Sequence, residues 1–460
     1  MPSPDEVTHL LRRTEFFAAP ARVAELAAMP TRAAAVADVL DVARNGGPPP
    51  LRMTAPDHPT RIAEVTRSWI DQMLTSQRRI QEKMALFWHG HFVSDDAKAG
   101  NTQVIKQQLD LYRAKGLGNL RELAIEMSTT VAMLRYLDNN ENFAEAPNQN
   151  FGRELMELFL LGVGNYTEAD VEASTAAWTG HSVTNHADNT GTYWWRPDRH
   201  DPTPMPFLGQ MTCQHADPKR HGADAIRTIL SNGVATAGSR AGQPTREIAA
   251  DFISTKLWAF FAGTTIPSAV RTHLRGVALG SNFDLTPWVR ALLLRDEFYT
   301  SGVRRGLVRS PVDYLVALLA TTSVPADPAF PFWLGEGMGQ RLLFPPNVAG
   351  WGYNGYYVNA SAFAQRAAAA RHVAYYVLAD YWDGAGMRLR RGWLTRAEVW
   401  ASGNDSAARR GLVRQLTELM GITLGSTTLA ALDEFAVNAK LDEFHDLVEL
   451  IYVSPEMTVA

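Results

Sequence analysis

The feature that most constrains this chain is the step of three and four residues between its apolar side chains. In "RIAEVTRSWIDQMLTSQRRIQEKMALFWH" (61–89), Ile62, Val65, Trp69, Met73, Ile80, Met84 and Phe87 fall on one side of a helix. The pattern predicts one long helix from about Pro59 to Trp88. Shorter helices are expected over 4–12 and 20–45, before the break "GGPPP" (46–50), and over 101–115 and 119–137. Another surrounds Glu154, closed by Gly162 as a C-cap. Thr167 and Asp170 form a capping-box start for a helix ending near Gly180. Helices resume over 221–231, 245–262, 285–299 and 310–322, the third with Thr286 as N-cap and Pro287 at N1.

Two stretches break the pattern. Residues 181–215 carry Tyr193, Trp194, Trp195, several Pro and Gly, and four His; they predict a long ordered loop with at most a short hairpin. Residues 325–357 are a second loop rich in Pro, Gly and aromatics. The expected fold is mainly α, with long Pro/Gly/aromatic loops and at most a small β-hairpin. A main domain over 1–360 carries the His and Glu motifs. A helical lobe over 361–460 packs on it, unless the whole chain is one domain.

The chain has 460 residues, enough for a large core, and its net charge of −4 argues against nucleic acid or an anionic membrane as partner. No run of about 18 apolar residues predicts a transmembrane helix. The start, "MPSPDEVTHLLRRTEFF", lacks the basic-then-apolar pattern of a secretory signal, so the expected location is the cytoplasm unless a leader was removed. Cys213 is the one cysteine, which excludes an intramolecular disulfide and a Cys-rich zinc site.

Several blocks occur in a telling order: "LLRRTEF", "KMALFWHGHF" (83–92), "NQNFGRELMELFLLGVGNYTEADVEASTAAWTG" (148–180), "HD…FLG" (200–209), "KLWAFFA" (256–262), "LLLRDEFY" (292–299) and "PPNVAGWGYN" (345–354). Together they resemble the bacterial family catalogued as domain of unknown function 1800, over nearly the whole chain. The resemblance implies a shared helical fold and brings no established activity. It also implies frequent export, and a partner protein resembling sulfatases and phosphatases. Two departures stand out. His181 follows "TG" where a Trp is common, and Thr203 and Met205 stand where a Gly and a Lys are usual.

Four constellations carry possible chemistry. Glu154 and Glu157 lie one turn apart in "NFGRELMELFLLG" (150–162), a helix apolar on nearly every side. Buried carboxylates need a cation, either a metal or an arginine such as Arg153 or Arg135. His89 and His91 flank Gly90; they converge only if the helix breaks there. His200 and Asp201 lead a run in which seven of the twelve His fall between residues 89 and 221, under a third of the chain. There Asp201 is expected to orient an imidazole. His186 and His215 are expected to be exposed. Cys213 lies near His215 and His221 without an identifiable base. Finally, Trp351, Tyr353 and Asn354 in "PPNVAGWGYNGYY" offer stacking surface and hydrogen bonds for a substrate. No phosphate-binding loop, dinucleotide fingerprint, nucleophile elbow or H-E-x-x-H occurs.

The leading expectation is a metal-dependent enzyme, leaning to an oxidoreductase. Its ligands are His89, His91, Glu154 and Glu157, its catalytic pair His200 and Asp201, and its substrate residues Trp351, Tyr353 and Asn354. The ion is iron, manganese, copper or zinc. The alternatives are a binding or assembly protein whose buried Glu residues form salt bridges, a metal-dependent hydrolase, and metal-free acid/base chemistry on a glycan.

Overall fold

The computed structural model describes residues 1–42, 47–184, 190–263, 265–321, 335–382, 387–389 and 392–459. The chain is mainly α. The expected long helix is two: His58–Thr75 and Arg79–His91, separated at Ser76–Arg78. The first ends where Ser76 leaves helical geometry at ψ 136°. The apolar stripe continues across the break, so spacing alone could not reveal it. The expected helices over 20–45 and 119–137 are likewise split, into Pro20–Ala27 and Arg32–Val39, and into Leu120–Ser128 and Val131–Tyr136.

The helix Arg79–His91 is the centre of the fold. Every residue from Ile80 to His89 is buried, including Glu82 and Lys83. It packs on His58–Thr75 and on Thr102–Lys115, which also touch each other. Both charges are paired, in different directions. Arg113, from Thr102–Lys115, grips Glu82 with Nε to Oε2 at 2.7 Å and Nη2 to Oε1 at 2.9 Å; Trp69 Nε1 donates to the same carboxylate at 3.0 Å. Lys83 pairs with Asp313, at the start of Pro311–Ala320. Its ammonium also lies 4.8 Å from the Phe16 ring centre and 5.1 Å from that of Phe260.

Around this pillar, Thr245–Phe261, Ser268–Gly280 and Leu285–Leu293 pack in succession. Asp284, not Thr286, caps the last of these; its side chain accepts from the Thr286 amide, and Pro287 lies in the first turn. The apolar core is continuous from Val7 to Met457. Across residue 360, Tyr314 Oη donates to the Tyr452 carbonyl at 3.0 Å, and Val308 bridges Val459. Among the described residues there are three short antiparallel hairpins where at most one was expected: His181–Val183 with Tyr193–Trp195, Pro206–Phe207 with Gln210–Met211, and Met387–Leu389 with Gly392–Leu394. No helix among the described residues is long and apolar enough to cross a membrane.

The Glu82–Arg113 pair yields a direct prediction. Glu82→Ala leaves the buried Arg113 guanidinium with Asp110 as its one remaining carboxylate partner among the described residues and is expected to cost about 3 kcal/mol. Urea unfolding of the variant checks it; an unchanged midpoint would contradict this account of the core.

Candidate metal centre

The helix Glu168–Ala177 begins with the expected capping box between Thr167 and Asp170. Asp170 also accepts from the Leu208 amide at 2.7 Å, tying the following loop back to the helix start. After Gly180 the chain runs through the hairpin 181–195 and returns to the helix end at His200. Thr179 is the pivot. Its hydroxyl donates to the Ala176 carbonyl at 2.6 Å and accepts from the Asp201 amide at 2.8 Å.

His200 Nδ1 lies 3.0 Å from the Thr179 carbonyl and 3.1 Å from the Thr179 hydroxyl oxygen, whose proton is already used. Both neighbours can only accept, so Nδ1 carries the proton. Its Nε2 faces Nδ1 of His221 at 2.8 Å. His221 opens the helix His221–Ile229, and its Nε2 lies 2.8 Å from the His215 carbonyl. That nitrogen too must donate. With both outer nitrogens donating, the two inner nitrogens face each other across a gap that a single proton or a cation bridges.

The third member is Cys213. Its Sγ and one ring nitrogen each of His200 and His221 all lie within 4.8 Å of one another. Among the described residues this is the group of three or more His, Cys, Asp or Glu whose ligand atoms converge so closely. Cys213 has φ +56°, a left-handed conformation costing about 1–2 kcal/mol for a residue with a Cβ. Strain of this kind concentrates at functional sites. Burial pushes the Cys213 thiol up and the His200 imidazole down from their ordinary pKa values. His200 and His221 are buried and Cys213 is half-buried, so the cluster lies just beneath the surface. Gly222 lets Trp178 pack under it: a Cβ there would lie 2.4 Å from the indole.

The expected ligand set does not assemble. Gly90 does not break the helix, which runs on to His91, so His89 and His91 diverge. His89 Nε2 accepts from the Leu343 amide at 3.2 Å, between Trp69 and Trp351. His91 Nε2 meets the Phe159 carbonyl at 2.9 Å, and its ring stacks on Phe87. Burial lowers both to a pKa of about 3. They are neutral core histidines.

Glu154 and Glu157 are only half-buried; the helix turns π over Leu155–Leu160, and one Glu154 oxygen, Oε2, is buried without a hydrogen-bond partner among the described residues. Glu157 accepts from the Tyr166 hydroxyl at 2.8 Å, a neutral donor in place of the expected cation. Arg153 pairs instead with Glu168. Burial and then the Glu157 charge raise the Glu154 pKa.

Among the described residues Asp201 hydrogen-bonds no imidazole; its carboxylate accepts from the Thr203 amide at 2.9 Å. His215 is half-buried rather than exposed, and its carbonyl fixes His221. His186 lies outside the described residues. Trp351, Tyr353 and Asn354 do line a cleft, but a small one of about 30 Å³. The Asn354 amide, however, is fully engaged with backbone at Val308, Gly263 and Gly306. It is a clamp, not a free substrate contact. Cys213 and His221 are the residues that sequence reasoning undervalued. Their signal was the crowding of His and Cys over 200–221.

Fold and site define a mainly helical protein with one candidate centre of two imidazoles and a thiol. The chain belongs to the family described as "Protein of unknown function (DUF1800)", whose sequence profile matches residues 9–459. No curated protein and no solved structure matches the chain.

The neutral histidines predict acid sensitivity. In the unfolded chain His89 and His91 take up protons near pH 6.5, and in the folded protein only near pH 3. Stability is therefore full above about pH 6.5 and declines as pH falls toward 3. Unfolding free energies measured from pH 7 to 4 check this. The slope should be shallower in His89→Gln, whose amide oxygen can still accept from Leu343.

Proposed function

We propose that the protein is a metal-dependent enzyme whose ion is held by His200, Cys213 and His221. One observation carries this reading: two inward imidazole nitrogens 2.8 Å apart, in rings whose other nitrogens each donate to a carbonyl. Lone pairs at that separation repel, and a cation turns repulsion into binding. The outer hydrogen bonds to Thr179 and His215 are the kind of support that metal-binding imidazoles use. Zinc–nitrogen bonds of about 2.0–2.1 Å in a tetrahedron hold nitrogens about 3.3 Å apart, so entry of the ion widens the pair by about 0.5 Å.

The donor set narrows the choice of metal. One thiol with two imidazoles suits zinc or copper better than iron or manganese. Binding displaces the thiol proton. Three protein ligands leave a fourth position for water or substrate, as in catalytic zinc sites. Copper there would support electron transfer, and zinc would lower the pKa of a bound water. A half-exposed thiol that must stay reduced to ligate fits the cytoplasm. The rival reading, a non-enzymatic assembly protein built on buried ion pairs, draws support from Glu82–Arg113. It leaves the facing imidazoles unexplained.

The test is elemental analysis of protein purified without an affinity-metal step. Near-stoichiometric zinc or copper is expected in wild type, lost in Cys213→Ser and His221→Ala, and retained in Glu154→Gln and His89→Gln. Cobalt substitution should add a thiolate charge-transfer band that Cys213→Ser abolishes. Folded wild type that stays metal-free after reconstitution would overturn the reading and leave the pair bridged by a proton.

A further inference from the structure

Arg12 and Arg13 sit in the "LLRRTEF" block, and the metal centre makes no use of them. Arg13, Arg309 and Arg366 are 1%, 3% and 2% exposed, and Lys83 is 2% exposed. One carboxylate, Asp313, lies among them, and it is taken by Lys83 and the Ser310 hydroxyl. Among the described residues no ion pair joins Arg12, Arg13, Arg309 or Arg366 to a carboxylate. Glu456 acts on Arg12 only at longer range; its own oxygen accepts from the Gly425 amide and the Thr428 hydroxyl.

The guanidiniums find carbonyls instead. Arg13 Nη2 donates to Val303 at 2.5 Å, Arg366 Nη2 to Arg309 at 2.7 Å, and Arg309 Nη1 to Phe16 at 2.9 Å. Carbonyls solvate a cation without neutralising it. Arg13 and Arg366 each keep two buried nitrogens, Nε and Nη1, with no hydrogen-bond partner among the described residues, the Arg366 guanidinium lying 4.7 Å from the Tyr314 ring centre. Burial, with neighbouring arginines adding to it, lowers Arg13 and Arg309 to a pKa of about 9. A buried excess of positive charge is costly unless something negative joins it.

A cleft of about 150 Å³ opens onto this cluster, between the end of the helix Pro4–Thr14 and the segment 419–422. Arg12, Arg79 and Arg309 line it, and among the described residues no acidic one does. Arg79 is balanced by Glu15, which leaves Arg12 and Arg309 facing the space without a direct ion pair, Glu456 and Asp313 acting on them only at longer range. The remaining wall is largely apolar, with Phe17, Ala317, Leu419, Ile422 and Met457. We propose that this cleft binds an organic anion, a carboxylate or phosphate head on an apolar body, with Arg12 and Arg309 receiving the head. The proposal is independent of the metal centre.

Isothermal titration of the purified full-length protein tests it, at fixed ionic strength, with decanoate, decyl phosphate, decanol and inorganic phosphate. One or both decyl anions should bind 1:1, at least tenfold tighter than decanol and than inorganic phosphate. The tighter of the two identifies the head group. Arg12→Gln should weaken that binding at least tenfold while circular dichroism and the thermal midpoint hold. Decanol binding as tightly as the anions would overturn the role of the arginines. Inorganic phosphate binding as tightly as decyl phosphate would overturn the apolar body. Absence of binding by both anions would overturn the site itself, and unchanged affinity in a folded Arg12→Gln would overturn its placement. The wild-type comparisons decide without the variant.

Discussion

The structure depends on a helix that has no wet side. Arg79–His91 is enclosed by its neighbours, yet its sequence brings Glu82 and Lys83 into the interior next to each other. Adjacent positions on a helix point to different sides. One charge therefore reaches Arg113 and the other Asp313, so two separate regions of the chain must arrive with the opposite sign. These pairs are directional in a way that apolar burial is not. They specify which helices meet at the centre and in what rotation. Replacing such pairs by apolar residues can cost little, but removing one partner costs much. The centre is thus better understood as a specificity device than as a reservoir of stability.

The helical class was legible because apolar spacing and capping residues act locally. The capping box of Thr167 and Asp170 reads the same in sequence and in space. The break at Ser76 did not, because the apolar stripe resumes in phase on its far side. The glutamates at 154 and 157 were misread for a related reason. A π turn shifts the helix face by one residue, and nothing in the residue types announces it.

The site was half legible. His200 stood out, and the crowding of histidines was real. What made His221 and Cys213 matter was invisible: the Thr179 and His215 carbonyls that decide where two protons sit. Every residue has a carbonyl, so no residue type encodes that role. Asn354 shows the opposite case. An asparagine among aromatics reads as a substrate contact until the backbone groups that occupy it are seen.

Gly90 and Gly350 carry one more consequence. The loop 345–357 crosses the central helix where these two meet: a Cβ on Gly350, at φ +81°, would lie 2.0 Å from the Gly90 oxygen. The Trp351 ring then covers the spot, 3.4 Å from where a Gly90 Cβ would stand. Backbone resting directly on backbone leaves no side chain to serve as a bearing. The loop is riveted to the helix at this point, so the Trp351–Tyr353 cleft beside it changes shape only by turning its aromatic rings, as a turnstile does, since the door frame itself cannot swing.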